Sequence, residues 1–206
     1  MKKKIIKGTK ANGCPTHKPM MRKTFFLIFF LICGERILAQ TAIDTASIKS
    51  ELSAILERDQ KTRTGSDSAN FMRYIDSCNL AQVEKIIEKY GWLGRSVIGA
   101  GGNSTLFFVI QHADLATQLK YFPLLEKSVA EGESRPSNLA LMQDRILVRQ
   151  EKKQIYGSQV VLNKTGGKEF YPIEDEKNVN IRREKMGMQP LEEYAKLFGI
   201  EYTLPK

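Results

Sequence analysis

Beyond residue 47 the apolar positions recur at helical spacing. Ile48, Leu52, Ile55 and Leu56 share one face of a first predicted helix, which should end near Arg63-Thr64-Gly65. A second is expected to start after Asp67 or Ser68 and to carry Phe71, Tyr74, Ile75 and Cys78 on its apolar face. Asn79 reads as the N-cap of a third, with Leu80, Val83, Ile86, Ile87 and Tyr90 in a stripe closed by Gly91. Gly99, Gly101 and Gly102 then read as a flexible connector leading to Asn103 or Ser104 as the next cap. Leu106-Phe107-Phe108-Val109-Ile110 is apolar all round, and so predicts a buried central helix running to His112, with a buried strand as the alternative.

Asp114 is placed to cap a further helix on which Leu115, Leu119, Phe122, Leu125 and Val129 align, with Pro123 as a point of kinking. Ser137 or Asn138 opens another, burying Leu139, Met142, Ile146 and Val148. The pattern then changes. Ile155 to Leu162 is rich in β-branched residues, Gly166-Gly167 makes a turn, and Phe170 to Ile173 can return as the second strand of a hairpin. Helices over 175–186 and 190–198 follow, closed by Gly187 and Gly199. The expected fold class is mainly α: a single helical domain with one β-hairpin in the C-terminal third.

The formal charge of +9 suggests a nucleic-acid or membrane-surface partner until the charges are located. Residues 1–39 hold nine of the 32 Lys/Arg and one of the 23 Asp/Glu, which leaves 23 bases against 22 acids in the remainder. No nucleic-acid partner is therefore expected. The basic segment precedes an apolar run, Phe25 to Cys33, too short for a stable span but suited to the core of an export signal, with cleavage after Ala39. Residues 1–39 are accordingly predicted to be a leader, Met20 or Met21 being an alternative start, followed by a polar spacer at 40–46 and one domain over 47–206. The expected location is periplasmic or secreted, with no stable transmembrane span once the leader is removed. Cleavage leaves Cys78 as the one thiol, so no internal disulfide is expected.

Three groups of residues can carry chemistry. The glycine loop fails both nucleotide fingerprints: Ser104 stands where the third glycine belongs, Lys120 where the acid belongs, and no Gly-Lys-Ser/Thr occurs. Gln111-His112-Ala113-Asp114 holds the one histidine beyond the leader, which is a core or network histidine, a general base or a metal ligand. Without a second histidine or a cysteine pair, no zinc site of ordinary composition is expected, although a carboxylate-rich one through Asp114 and Asp144 stays open. The third group is Asp144-Arg145 with Tyr156-Gly157-Ser158-Gln159, where Arg145 suggests a buried ion pair or an anion clamp. Arg182-Arg183 reads as a solvated helix face.

Gly91-Trp92-Leu93-Gly94, Gln111 to Asp114, Asp144-Arg145, Tyr156 to Gln159, and Asn178 to Arg183 with Gly187 resemble, in this order, the signposts of a bacterial, often exported, domain-of-unknown-function family. The resemblance covers about Ile48 to Tyr194 and implies an exported domain with a polar cluster but no assigned reaction. Its pattern has Thr where Ser158 stands, which weighs against an attacking serine. The leading expectation is a ligand-binding or interaction module of the cell envelope. Its ligand, a small molecule or envelope component, would meet Trp92, Gln111, Arg145, Tyr156 and Gln159, with no cofactor. The rival is a hydrolase using His112 as general base with Asp114 or Asp144. A purely structural role for the motifs is the third reading.

Overall fold

Ile48, Leu52, Ile55, Asp59 and Thr62 form one buried stripe on the first helix, α1 (Thr45–Thr64), whose first turn is capped by Asp44 accepting from Ser47 N at 3.0 Å. The computed structural model describes residues 43–65 and 68–205. The expected leader and residues 40–42 of the expected spacer lie outside the described residues, while Thr45 and Ala46, expected in the spacer, already belong to α1.

The remaining helices are α2 (Ala69–Tyr90), α3 (Arg95–His112), α4 (Leu115–Ala130), α5 (Pro136–Arg149), α6 (Val179–Lys185) and α7 (Leu191–Lys196). A short antiparallel pair, β1 (Val160–Leu162) and β2 (Lys168–Phe170), stands between α5 and a 3-10 turn at Glu176–Asn178. The mainly helical class with one C-terminal hairpin is thus observed, and among the described residues no helix is long and apolar enough to cross a membrane. Helix α3 packs against α1, α2, α4 and α5. Its Leu106, Phe107, Val109 and Ile110 are buried in the main core with Leu52, Ile55, Val83 and Leu125, so the all-round apolar block is the central helix. A second, smaller core gathers Ile173, Val179 and Leu191 under the hairpin.

Several boundaries differ from those expected. Helix α2 runs unbroken through Asn79, because the Asn79 side chain is buried against α1, its Oδ1 accepting from Arg58 Nε and Nη2 at 3.3 and 3.2 Å, and cannot turn back to cap its own backbone. Phe71 and Tyr74 are exposed and Cys78 is half-buried, so the buried face of α2 lies over Asn79, Val83, Ile86 and Ile87. The glycines at 99–102 belong to α3 and are not a loop. Gly99, at φ 76° and ψ 165°, kinks the helix, which continues through Gly101 and Gly102. Asn103 is then an interior residue whose Nδ2 donates to Leu93 O and Ser134 Oγ. On α4 the buried face is Gln118, Tyr121, Leu125 and Ser128, while Leu119 is exposed.

Candidate functional site

The polar end of the stripe on α1 meets the C-terminal end of α3. Asp59 is 2% exposed, one turn before Arg63, and its two oxygens accept from Arg63 Nη2 at 2.9 Å and Nε at 3.2 Å. Arg63 Nη2 also reaches Asp76 Oδ1 on α2 at 2.7 Å and His112 Nδ1 on α3 at 2.6 Å. Three helices therefore converge on one guanidinium nitrogen. Asp59 Oδ1 lies 3.4 Å from His112 Nδ1. Burial alone would raise the Asp59 pKa, but hydrogen bonding and charge from His112 in its protonated form, with Nδ1–H toward the carboxylate, and then from Arg63 outweigh it and hold the carboxyl down at about 2.

The guanidinium has no lone pair, so His112 Nδ1 must accept from Arg63, and the neutral imidazole then carries its proton on Nε2. His112 is partly exposed, as are Arg63 and Asp76.

Beside this cluster, α5 supplies two more arginines. Arg145 Nη1 donates to Gln111 O at 3.3 Å, and Arg149 Nη1 to Ala113 O at 2.5 Å, completing the carbonyl end of α3. Gln118 Nε2 donates to the same Gln111 carbonyl at 2.7 Å. The Arg145 guanidinium is left incompletely served, since its Nε is buried without a partner. Burial first, and then the positive charges of Arg149 and Arg63, lower its pKa from the usual arginine value.

The expected site residues separate into three places. Gln111, His112 and Arg145 come together at the end of α3. Asp114 turns the other way, capping α4 through a bond from Thr117 N at 2.8 Å. Trp92 is at the far end of α3, about 20 Å away at 1.5 Å of rise per residue from Gly99 to His112. There its Nε1 donates to Ser134 Oγ at 3.2 Å, in a network with Ser128 and Asn103.

Asp144, Tyr156, Ser158 and Gln159 form the third place, a polar clasp around the segment 154–159. Asp144, fully buried, accepts from the backbone N–H groups of Ile155, Tyr156 and Ser158 at 2.7, 3.0 and 2.9 Å. The carbonyls are held from the opposite side: Arg182 Nε donates to Ile155 O, Arg183 Nη1 to Tyr156 O, and the Tyr194 hydroxyl to Ser158 O. Gln154 brackets the segment, accepting from Gln159 N and donating to Gln159 O. Desolvation, partly offset by these N–H donors, raises the Asp144 pKa. Ser158 Oγ accepts from Gln159 Nε2 at 3.0 Å. The solvated face expected for Arg182-Arg183 is not observed at Arg183, which is 1% exposed, with its guanidinium over the Tyr194 ring at 4.8 Å.

Asp59, Arg63 and Asp76 carried no motif in the sequence. The available signal was the stripe itself: Asp59 falls four residues after Ile55, where the next apolar residue belongs, and a carboxylate at a core position demands a partner.

Comparison with curated proteins and with solved structures finds no match to this chain. A family model does match it, over residues 37–205, which takes in every side chain of the Arg63 cluster and of the clasp. The chain belongs to the Family of unknown function (DUF6624).

Proposed function

We propose that the protein is an exported ligand-binding domain whose ligand is a small anionic molecule, a phosphate or carboxylate, received by Arg145 beside His112. The observation that carries this reading is the buried, unpartnered Nε of Arg145 on a guanidinium that pairs with no carboxylate among the described residues. An arginine stays charged across the working pH range, and a planar fork with a spare N–H suits an oxyanion. Arg149 and Arg63 add positive charge to the same end of α3. Export is supported by the basic segment and the short apolar run Phe25 to Cys33. Titrating the purified domain with inorganic phosphate and with succinate tests the binding reading. A rise in melting temperature that Arg145→Met abolishes supports it; no rise, or an equal rise in Arg145→Met, overturns it. N-terminal sequencing of exported protein tests the leader, and an intact Met1 overturns it.

A hydrolytic reading has its own support in the buried Asp59 Oδ1, 3.4 Å from His112 Nδ1. With Arg63 drawn away, Nδ1–H would bond Asp59 and leave Nε2 to accept a proton from water, as an oriented imidazole base does. In this reading Asp59 takes the orienting place expected of Asp114 or Asp144. Ester and phosphoester turnover lost in both His112→Gln and Asp59→Asn supports it; absence of turnover in the wild type overturns it.

A further inference from the structure

The terminal nitrogen of a guanidinium carries two hydrogens, both in its plane. Arg63 Nη2 faces three acceptors, Asp59 Oδ1 at 2.9 Å, Asp76 Oδ1 at 2.7 Å and His112 Nδ1 at 2.6 Å. One of the three is always short of a proton. A spherical cation has no such limit.

Asp59, Asp76 and His112 can each offer one ligand atom such that the three lie within 4.8 Å of one another. A tetrahedron built on metal bonds of about 2.1 Å has edges of about 3.4 Å, and the Asp59 Oδ1 to His112 Nδ1 separation is 3.4 Å. Two carboxylates and one imidazole form a nitrogen and oxygen donor set of the kind that binds zinc and its first-row neighbours. When neutral and accepting from Arg63, the imidazole has the tautomer a metal requires, with the Nδ1 lone pair turned into the cluster and Nε2 carrying the proton.

Access and exchange are also provided for. Asp59 is fixed in the core while Asp76 and Arg63 are 31% and 28% exposed at the side chain, so one ligand can adjust and the arginine can swing out at the end of α1. Three protein ligands leave a coordination position for water or an anion, the pattern of an open metal site.

We infer that Asp59, Asp76 and His112 form a binding site for a divalent transition metal ion of the zinc class, which Arg63 occupies in competition with the metal. The Arg63 side chain acts as an internal cation that holds the donors in place and limits metal affinity. This site stands on its own geometry and does not depend on anion binding by Arg145, so failure of either leaves the other intact.

The test is isothermal titration of the chelator-stripped protein with zinc chloride at pH 7.5, with circular dichroism melts confirming that each variant folds. The expected result is one zinc per chain, bound about tenfold or more tightly in Arg63→Ala, the order of effect that altered metal surroundings produce. His112→Gln and Asp76→Asn, both at partly exposed positions, should each lose the site. Arg63→Gln, which keeps the helix and part of the stem, serves if Arg63→Ala does not fold. No stoichiometric zinc in the wild type and in the Arg63 variants overturns the inference. Binding that survives both His112→Gln and Asp76→Asn overturns it too, and equal affinity in wild type and Arg63→Ala overturns the competition.

Discussion

Arg63 Nη2 stands 2.6 Å from His112 Nδ1, joining the last turn of α1 to the last residue of α3 through a bond in which the imidazole must accept. The relationship fixes which ring nitrogen carries the proton whenever the imidazole is neutral. At pH 8, nitrogen-15 spectra of the histidine-labelled domain should show His112 as the Nε2–H tautomer, and Arg63→Ala should release it into a mixture. A Nδ1–H tautomer in the wild type, donating to Asp59, would mean that Arg63 is elsewhere and that the imidazole is arranged as an oriented base.

Asp59 makes the cluster sensitive to acid in a calculable direction. Its folded pKa of about 2 lies below the ordinary 3.8, so the ionised form is favoured by folding and the contribution is present above pH 4. It is lost as pH falls from about 4 through 2, and the size of the shift corresponds to about 2 kcal/mol. Urea unfolding midpoints from pH 6 to 2 should therefore fall more steeply for the wild type than for Asp59→Asn, which cannot titrate at this position. Parallel slopes would show that Asp59 has the same pKa in both states.

How much of this was readable in the chain depends on what each signal measures. Apolar spacing reports burial, and so Ile48-Leu52-Ile55, Val83-Ile86-Ile87 and the 106–110 block marked the core correctly, although the helix break expected at Asn79 and the glycine connector at 99–102 are absent. The same signal misleads where a core position is polar. Asp59, Asn79 and Arg183 are all buried, and each was invisible or misread because it has a partner in a distant part of the chain, His112 for Asp59, Arg58 for Asn79 and Tyr156 for Arg183. Exposed Phe71, Tyr74 and Leu119 are the converse case. Of the site, Gln111, His112 and Arg145 were legible as motif residues; that Asp59, Arg63 and Asp76 join them depends on the packing of α1 and α2 on α3, which no local pattern encodes.

Asp144 satisfies three backbone donors of the segment after α5. Removing a buried acceptor leaves each N–H short of a partner at about 1–3 kcal/mol apiece, so Asp144→Ala should lose roughly 3 kcal/mol or more by chemical unfolding. The loss should be local first: hydrogen exchange at Ile155, Tyr156 and Ser158 should accelerate in the variant while the α3 amides stay protected. Uniform acceleration across the domain would show that the clasp and the helical core open together. Gly157, at φ 68° with a Cβ that would come within 2.9 Å of Ile173 and Leu191, predicts a similar loss for Gly157→Ala.

Gly99 and Gly101, two residues apart on α3, should respond to alanine with opposite signs. Neither is crowded, since a Cβ at either position meets nothing within 4 Å. The difference is in the backbone. Gly99 has φ 76° and ψ 165° at the kink, a region open essentially to glycine alone, and forcing an L side chain there costs about 1–3 kcal/mol. Gly101 lies inside the regular part of the helix and is exposed, where replacing glycine by alanine stabilises by roughly 0.5–1 kcal/mol through the smaller entropy lost on folding. Thermal unfolding of the two single variants should therefore move the midpoint down for Gly99→Ala and up for Gly101→Ala. Two variants that both rise would mean that the turn before Gly99 can straighten into the helix, and the kink would then carry no strain.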